Sequence, residues 1–169
     1  MRTLAIVWVL LVVACVGIPD NVKPVEDFRL DRYLGTWYEI ARLDHSFERG
    51  LSRVMAEYSL REEGGVRVIN RGYSEQDKEW KEAEGRAYFV DRADQGHLKV
   101  SFFGPFYGSY IVFELDQDSY QYALVSGPDK SYFWILARRP EMDKELKQRL
   151  VAKAAARGFD TSSLIWVAH

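Results

Sequence analysis

The sequence predicts an all-β fold, in which eight short antiparallel strands form one domain and a single α-helix follows them. From about residue 35 onwards, apolar and polar residues alternate in segments that recur at roughly ten-residue spacing. Turn-forming sequences rich in Gly, Pro and Asp separate these segments. Aromatic residues, which favour strands, make up 14% of the 169-residue chain. The pattern alone fits either an antiparallel sandwich or an up-and-down barrel.

The alternation and the turns set the expected bounds of the strands. Every second residue from Val54 to Leu60 shares one face, and the same phase continues from Val66 beyond a Gly64-Gly65 turn. We expect the eight strands at residues 35–43, 54–60, 66–70, 84–90, 98–102, 109–115, 120–126 and 132–138. Turn sequences separate them at residues 63–65, 94–96, 104–105, 116–119 and 127–129.

One amphipathic helix is expected after the last of these strands. Pro140 is suited to its first turn, and Gly158 to the position just after its last turn. Its apolar face has helical spacing and consists of Met142, Leu146, Leu150, Val151 and Ala154. The helix should therefore lie against the outer wall of the sheet, and a short closing strand can follow at residues 163–167.

The N-terminus is predicted to be an export signal that ends at a cysteine. Arg2 precedes an apolar run at residues 4–13, which is shorter than the roughly 20 residues of a membrane-spanning helix and suits a signal peptide. The run ends at Ala14-Cys15, which resembles the bacterial lipobox. We therefore expect a signal peptide at residues 1–14 and a lipidated N-terminus and tether at residues 15–27. Because Val16 and not Asp follows the cysteine, sorting to the cell outer membrane is expected; an ordinary signal peptide is the alternative.

Composition argues against several classes of function. The net charge is −2 without a basic stripe, so a nucleic-acid partner is not expected. His45, His97 and His169 lie far apart, and the single cysteine cannot complete a ligand set with them, so no metal, haem or other cofactor is predicted. We expect these histidines to be surface or loop groups. The chain has no Gly-x-Ser-x-Gly sequence that would present a nucleophilic serine.

Several motifs in the right order resemble the lipocalin family. Residues 33–42 contain the Gly35-x-Trp37 motif that opens the first lipocalin strand, and residues 44–50 continue it as in the bacterial branch. Further matches lie at residues 99–108, 122–125, 132–140, 158–160 and 164–166. Apolipoprotein D shares much of this pattern. The resemblance covers residues 28–167, so we assign residues 28–169 to one lipocalin barrel domain with its helix packed outside.

The resemblance implies an eight-stranded up-and-down barrel that is plugged at one end. Trp37 should fill the closed end, with Gly35 beside it and Arg138 from the last strand laid over the indole ring. The chain departs from many lipocalins after the sixth strand: these have Thr-Asp-Tyr, whereas here Tyr120 lies four positions beyond Asp116 of Leu115-Asp116. If the alternation holds, the side chains that face the cavity and contact ligand are drawn from Val54, Ala56, Tyr58, Val68, Ala87, Phe89, Val100, Phe102, Tyr110, Val112 and Trp134.

Such an apolar cavity would suit the acyl chain of a fatty acid, such as palmitate, or of a lysophospholipid, and the family resemblance favours those two ligands. Lipocalins that isomerise prostaglandins need a cysteine inside the barrel, whereas Cys15 lies outside it. We therefore expect that this protein is not an enzyme. The alternative is an envelope interaction module or homodimer with a filled barrel. The run at residues 102–107, rich in Phe and Tyr, fits either a contact patch for that module or the rim of a ligand pocket.

Overall fold

The predicted fold class is confirmed by the structure, a computed structural model that describes residues 16–169. The predicted signal peptide and Cys15 lie outside the described residues. Eight antiparallel strands form a closed barrel, because β1 pairs with both β8 and β2. The barrel strands are β1 (Gly35–Arg42), β2 (Leu51–Leu60), β3 (Val66–Ser74), β4 (Glu79–Phe89), β5 (His97–Phe103), β6 (Phe106–Leu115), β7 (Tyr122–Ser126) and β8 (Phe133–Ala137).

Two α-helices, a short 3₁₀ helix at Thr161–Ser163 and one further strand complete the described chain. Helix α1 (Leu30–Tyr33) precedes the barrel, whereas helix α2 (Lys144–Ala156) and strand β9 (Ile165–Trp166) follow it. The sequence interpretation missed α1, which has only four residues and no side-chain cap. It also placed the start of α2 too early, at Pro140. The helix begins after Asp143, because this carboxylate accepts hydrogen bonds from two backbone N–H groups of the first turn.

The barrel has a closed end and an open end. The closed end lies at the start of β1 and carries the connections at residues 61–65, 90–96 and 116–121. The open end carries the connections at residues 43–50, 75–78, 104–105 and 127–132. Strands β2, β3 and β4 extend further towards the open end than the sequence predicts, since their added residues are mostly polar or only half-buried and lack a regular apolar alternation.

Apolar side chains form one core inside the barrel and a second core outside it. The inner core includes Trp37, Tyr58 and Val125. In the outer core, Leu150 and Ala154 of α2 are fully buried against outward-facing residues of the barrel wall. The helix therefore lies outside the barrel with its apolar face inward, as predicted. No helix within residues 16–169 is long and apolar enough to cross a membrane.

The segment at residues 16–27, which the sequence interpretation treated as a tether, lies along the outside of the barrel. Near the open end, the Gly17 carbonyl accepts a hydrogen bond from the Ser109 hydroxyl (2.8 Å). Val22 is buried in the outer core. Further on, the Val25 N–H donates to the Val112 carbonyl (2.9 Å). The segment thus runs from the open end towards the closed end.

Residues 165–169 fill a gap between β1 and β2. Strand β1 pairs with β2 through Gly35–Tyr38, but nearer the open end β9 pairs with Ala41 and Arg42 instead. The Arg53 N–H donates to the Ala168 carbonyl (2.7 Å), so the same segment also bonds to β2. The barrel wall therefore contains one seam that is closed by residues from outside the eight-stranded ladder.

Candidate ligand-binding site

The closed end is plugged by Trp37, which is fully buried. Its indole N–H donates to the Tyr33 carbonyl (2.8 Å), and the Tyr33 ring stacks on it with ring centroids 4.6 Å apart. The guanidinium carbon of Arg138 lies 4.1 Å from the centroid of the indole ring on the outer side. Arg138 also donates hydrogen bonds to the carbonyls of Thr36, Arg32 and Tyr120. This arrangement seals one end of the cavity.

Gly35 and Tyr120 complete the plug. The backbone of Gly35 has a φ of 93°, which favours glycine, and a Cβ there would lie 3.4 Å from the Arg138 guanidinium. Tyr120 is buried, and its hydroxyl accepts a hydrogen bond from the Arg29 N–H (3.0 Å). Although this tyrosine lies three residues later than in the Thr-Asp-Tyr pattern, its ring still reaches the closed end.

Above the plug, the barrel holds a cavity of about 300 Å³, at the lower end of the usual range for ligand sites. Nine of the eleven predicted cavity residues line it: Val54, Ala56, Tyr58, Val68, Ala87, Val100, Phe102, Tyr110 and Trp134. The other two are not among the lining residues. Phe89 and Val112 belong to the inner core but do not reach the cavity, and Phe89 packs on Phe28 with ring centroids 6.1 Å apart.

Three tyrosine hydroxyls form a hydrogen-bonded group among the residues that line the cavity. The Tyr110 hydroxyl lies 2.7 Å from that of Tyr33 and 2.9 Å from that of Tyr58. Burial raises the pKa of all three phenols, so they remain neutral at physiological pH. Because the hydroxyls satisfy one another, the otherwise apolar cavity carries little unsatisfied polarity here.

A second polar group lies on the open-end side, where the connection between β1 and β2 folds inward. Glu39 and Glu48 are the charged side chains among the described residues that line the cavity. Arg42 donates to the Glu39 carboxylate (2.7 Å) and to the Glu48 backbone carbonyl (2.8 Å). Trp134 donates its indole N–H to the Glu48 carboxylate (3.1 Å), and His45 Nε2 lies 3.1 Å from the same oxygen.

The two carboxyl groups differ in their electrostatic environment. Burial raises the pKa of Glu39 well above its usual range, against the opposing effect of Arg42. Burial also opposes ionisation of Glu48, but the His45 imidazole and the Trp134 N–H outweigh it and lower the pKa of that carboxyl. Glu48 is therefore the group that stays ionised beside the cavity.

Sequence reasoning missed this polar group. In regular alternation Glu39 and Arg42 would point to opposite faces, but a β-bulge between Glu39 and Ala41 shifts the phase. The surface or loop position expected for the histidines is wrong for His97, which is buried in β5, whereas His45 lies in a loop as expected but is buried there. The signal in the sequence that could have indicated this polar group is the arginine, Arg42, that stands three residues after Glu39 in an otherwise apolar strand. Within residues 16–169, no three His, Asp or Glu side chains cluster in a way that would hold a metal ion.

Comparison with known proteins agrees with this geometry, since the model of a family described as a lipocalin-like domain matches residues 28–169. The chain belongs to the lipocalin family. Outer membrane lipoprotein Blc of Vibrio cholerae is 60% identical over 153 residues, which cover 90% of each chain. The Escherichia coli protein of the same name is 54% identical over 93% of this lipocalin and 89% of its own length.

A solved lipocalin structure shows the same fold. Insecticyanin from the tobacco hornworm Manduca sexta superposes with a TM-score of 0.71 at 25% identity, over 90% of this chain and 87% of that one. The predicted resemblance to bacterial lipocalins is thus confirmed. The predicted location at the cell outer membrane is confirmed by the high identity to proteins named outer membrane lipoproteins.

Proposed function

We propose that this lipocalin binds the acyl chain of a fatty acid or lysophospholipid in its barrel and carries or stores that lipid at the outer membrane, without catalysing a reaction. The observation that carries the proposal is the cavity between the Trp37 plug and the open end, lined by apolar and aromatic side chains from six of the eight strands. This cavity favours lipid binding over the alternative function as an interaction module, which a filled barrel would support.

Burial of the acyl chain supplies most of the expected affinity. A chain of about 14–18 carbons gains on the order of 0.8 kcal/mol per buried CH₂, or more than about 10 kcal/mol before the costs of binding. One hydrogen bond to a head group adds only about 1 kcal/mol. Affinity should therefore depend on chain length more than on the head group.

The charges along the cavity favour one orientation of the ligand. Glu39 and Glu48 line the cavity, and neither Lys nor Arg does among the described residues. A carboxylate or phosphate beside ionised Glu48 would be repelled and would lose its hydration. The ligand should therefore enter tail first and keep its anionic head group at the open end.

We also propose that acylation of Cys15 holds the protein at the membrane. The cysteine follows a signal-peptide-like run and precedes the described chain by one residue. Several acyl chains on one residue, at about 0.8 kcal/mol per buried CH₂, make a lasting anchor where one chain would not.

Native mass spectrometry with lipid extraction tests the binding function. The chain from residue 16 onwards, which contains every barrel strand, should co-purify with one single-chain lipid or take up one added fatty acid. Added fatty acid should also quench the fluorescence of Trp134, which lines the cavity. A protein that stays empty and shows no quenching with any fatty acid would refute the proposal and favour the interaction module.

A further inference from the structure

Four exposed aromatic side chains surround the open end of the barrel. We call Phe47, Trp80, Phe103 and Phe106 the rim aromatics; they are 56%, 51%, 80% and 70% exposed. They come from three separate connections: Phe47 from that between β1 and β2, Trp80 beside that between β3 and β4, and the other two from either side of the turn between β5 and β6. Large side chains this exposed and this close to a cavity mouth commonly mark an interaction surface.

The N-terminal segment leads to the same end of the molecule. Gly17 is held by the Ser109 hydroxyl, three residues along β6 from the rim aromatic Phe106. From there the chain runs towards the closed end, where Phe28 N–H donates to the Asp94 carbonyl (2.8 Å). Cys15 precedes Gly17 by two residues, a span of at most about 7 Å. An anchor on Cys15 would therefore leave the barrel near its open end.

We infer that the open end of the barrel rests on a phospholipid bilayer, with the rim aromatics in the headgroup region and the cavity mouth facing the lipid. The inference rests on the proposed acylation of Cys15 and adds an orientation to it. A short attachment at the open end holds that end at the membrane surface, and aromatic side chains are favoured at this depth. We expect the rim aromatics to contact the bilayer and not a second copy of the chain, because an acyl anchor on Cys15 already holds the open end at the membrane.

The opposite end of the barrel lacks such a surface. Among the described residues, Leu60 is the exposed large apolar side chain at the closed end, at 66%. Ile165 and Trp166 are exposed on the side wall, on β9. With the mouth on the bilayer, an acyl chain could pass between membrane and cavity tail first without crossing bulk water.

Site-directed labelling of the full chain tests this orientation. The chain is produced in bacteria, acylation of Cys15 is checked by intact mass, and the protein is reconstituted into vesicles of phosphatidylethanolamine and phosphatidylglycerol. Phe106→Cys and Phe47→Cys each introduce one free thiol for an environment-sensitive nitrobenzoxadiazole label. Leu60→Cys is the matched control, because it replaces an equally exposed apolar residue at the closed end.

The label at positions 106 and 47 should shift to shorter emission wavelengths on reconstitution, and headgroup-nitroxide lipids should quench it several-fold more strongly than at position 60. In the double variant Phe103→Ser, Phe106→Ser, quenching at position 47 should weaken.

Equal quenching at all three positions, or an unmodified Cys15, would overturn the orientation. A shift of the label to shorter emission wavelengths that already occurs in detergent, together with no quenching by nitroxide lipid in vesicles, would indicate that a second copy of the chain covers the rim aromatics. That outcome would also overturn the proposed orientation. Whether the cavity holds lipid is read separately by mass spectrometry, so the binding function and the orientation can fail independently.

Discussion

The substitution Arg138→Ala should destabilise the barrel by opening its closed end. The Arg138 guanidinium lies over the Trp37 indole and donates hydrogen bonds of 2.9, 2.7 and 3.2 Å to three backbone carbonyls. Alanine removes all of these contacts at once. Because the side chain joins α1, β1 and the connection before β7, its loss affects every element that meets at the plug.

The magnitude follows from those contacts. Each hydrogen bond contributes about 1 kcal/mol net, and a cation–π contact of this kind about 1 kcal/mol. Water can replace part of the hydrogen bonding, because Arg138 is only partly buried, so we expect a loss of roughly 2–4 kcal/mol. For a domain of this size that corresponds to a fall in melting temperature of about 5–15 °C.

Thermal unfolding followed by circular dichroism measures this effect, with Arg139→Ala as the matched control. Arg139 is the next residue, carries the same charge and is exposed, so its substitution changes the net charge equally without touching the plug. Affinity for a fatty acid should change little, since Arg138 does not line the cavity. Melting temperatures within about 2 °C of each other for the two variants would correspond to less than about 1 kcal/mol and refute the reasoning.

Three further predictions concern the cavity. Trp134→Ala should weaken fatty-acid binding about tenfold or more, because a large apolar wall is lost; Trp166→Ala, on the outer surface, should leave the affinity measured by fluorescence titration unchanged. Tyr110→Phe should lower the free energy of unfolding by about 1–2 kcal/mol and by more than Tyr58→Phe, since Tyr110 makes two of the hydroxyl contacts and Tyr58 one; equal losses in denaturant titrations would contradict this. The pKa of Glu48 is lowered in the folded protein, so its ionisation stabilises the fold above the unfolded value of about 4.3 and this contribution is lost as the pH falls through the folded value. The difference in unfolding free energy between wild type and Glu48→Gln should therefore shrink as the pH falls from about 5 to about 3; a difference that does not change over this range would show that Glu48 is not ionised.

Most of the barrel wall could be predicted from the sequence because a strand places every second side chain on one face. Val54, Ala56 and Tyr58 follow that period, and all three line the cavity. The period gives the direction of a side chain but not its depth along the barrel axis. Phe89 and Val112 therefore point inward as predicted, yet they lie outside the cavity.

The polar part of the site could not be predicted in the same way. The inward position of Arg42 depends on a β-bulge, which the residue types do not reveal. His45 and Glu48 lie in a connection that becomes buried only when it packs on Trp134. Contacts of this kind depend on tertiary structure, since the residues involved are up to 86 positions apart.

The seam between β1 and β2 makes one line of the barrel wall easier to open than the others. Nearer the open end, β1 and β2 do not pair with each other directly, and the wall there is held by β9 and by individual hydrogen bonds such as that from the Arg53 N–H to the Ala168 carbonyl (2.7 Å). Local opening needs only these bonds to break, so the Arg53 and Val167 amides should be among the first strand amides to undergo hydrogen exchange in the native state. Glu39, which lines the cavity, lies beside this seam, and His169 Nε2 lies 2.8 Å from its backbone carbonyl oxygen. Opening of the seam would therefore briefly widen the cavity near the open end. A bulky ligand could then enter without unfolding of the barrel.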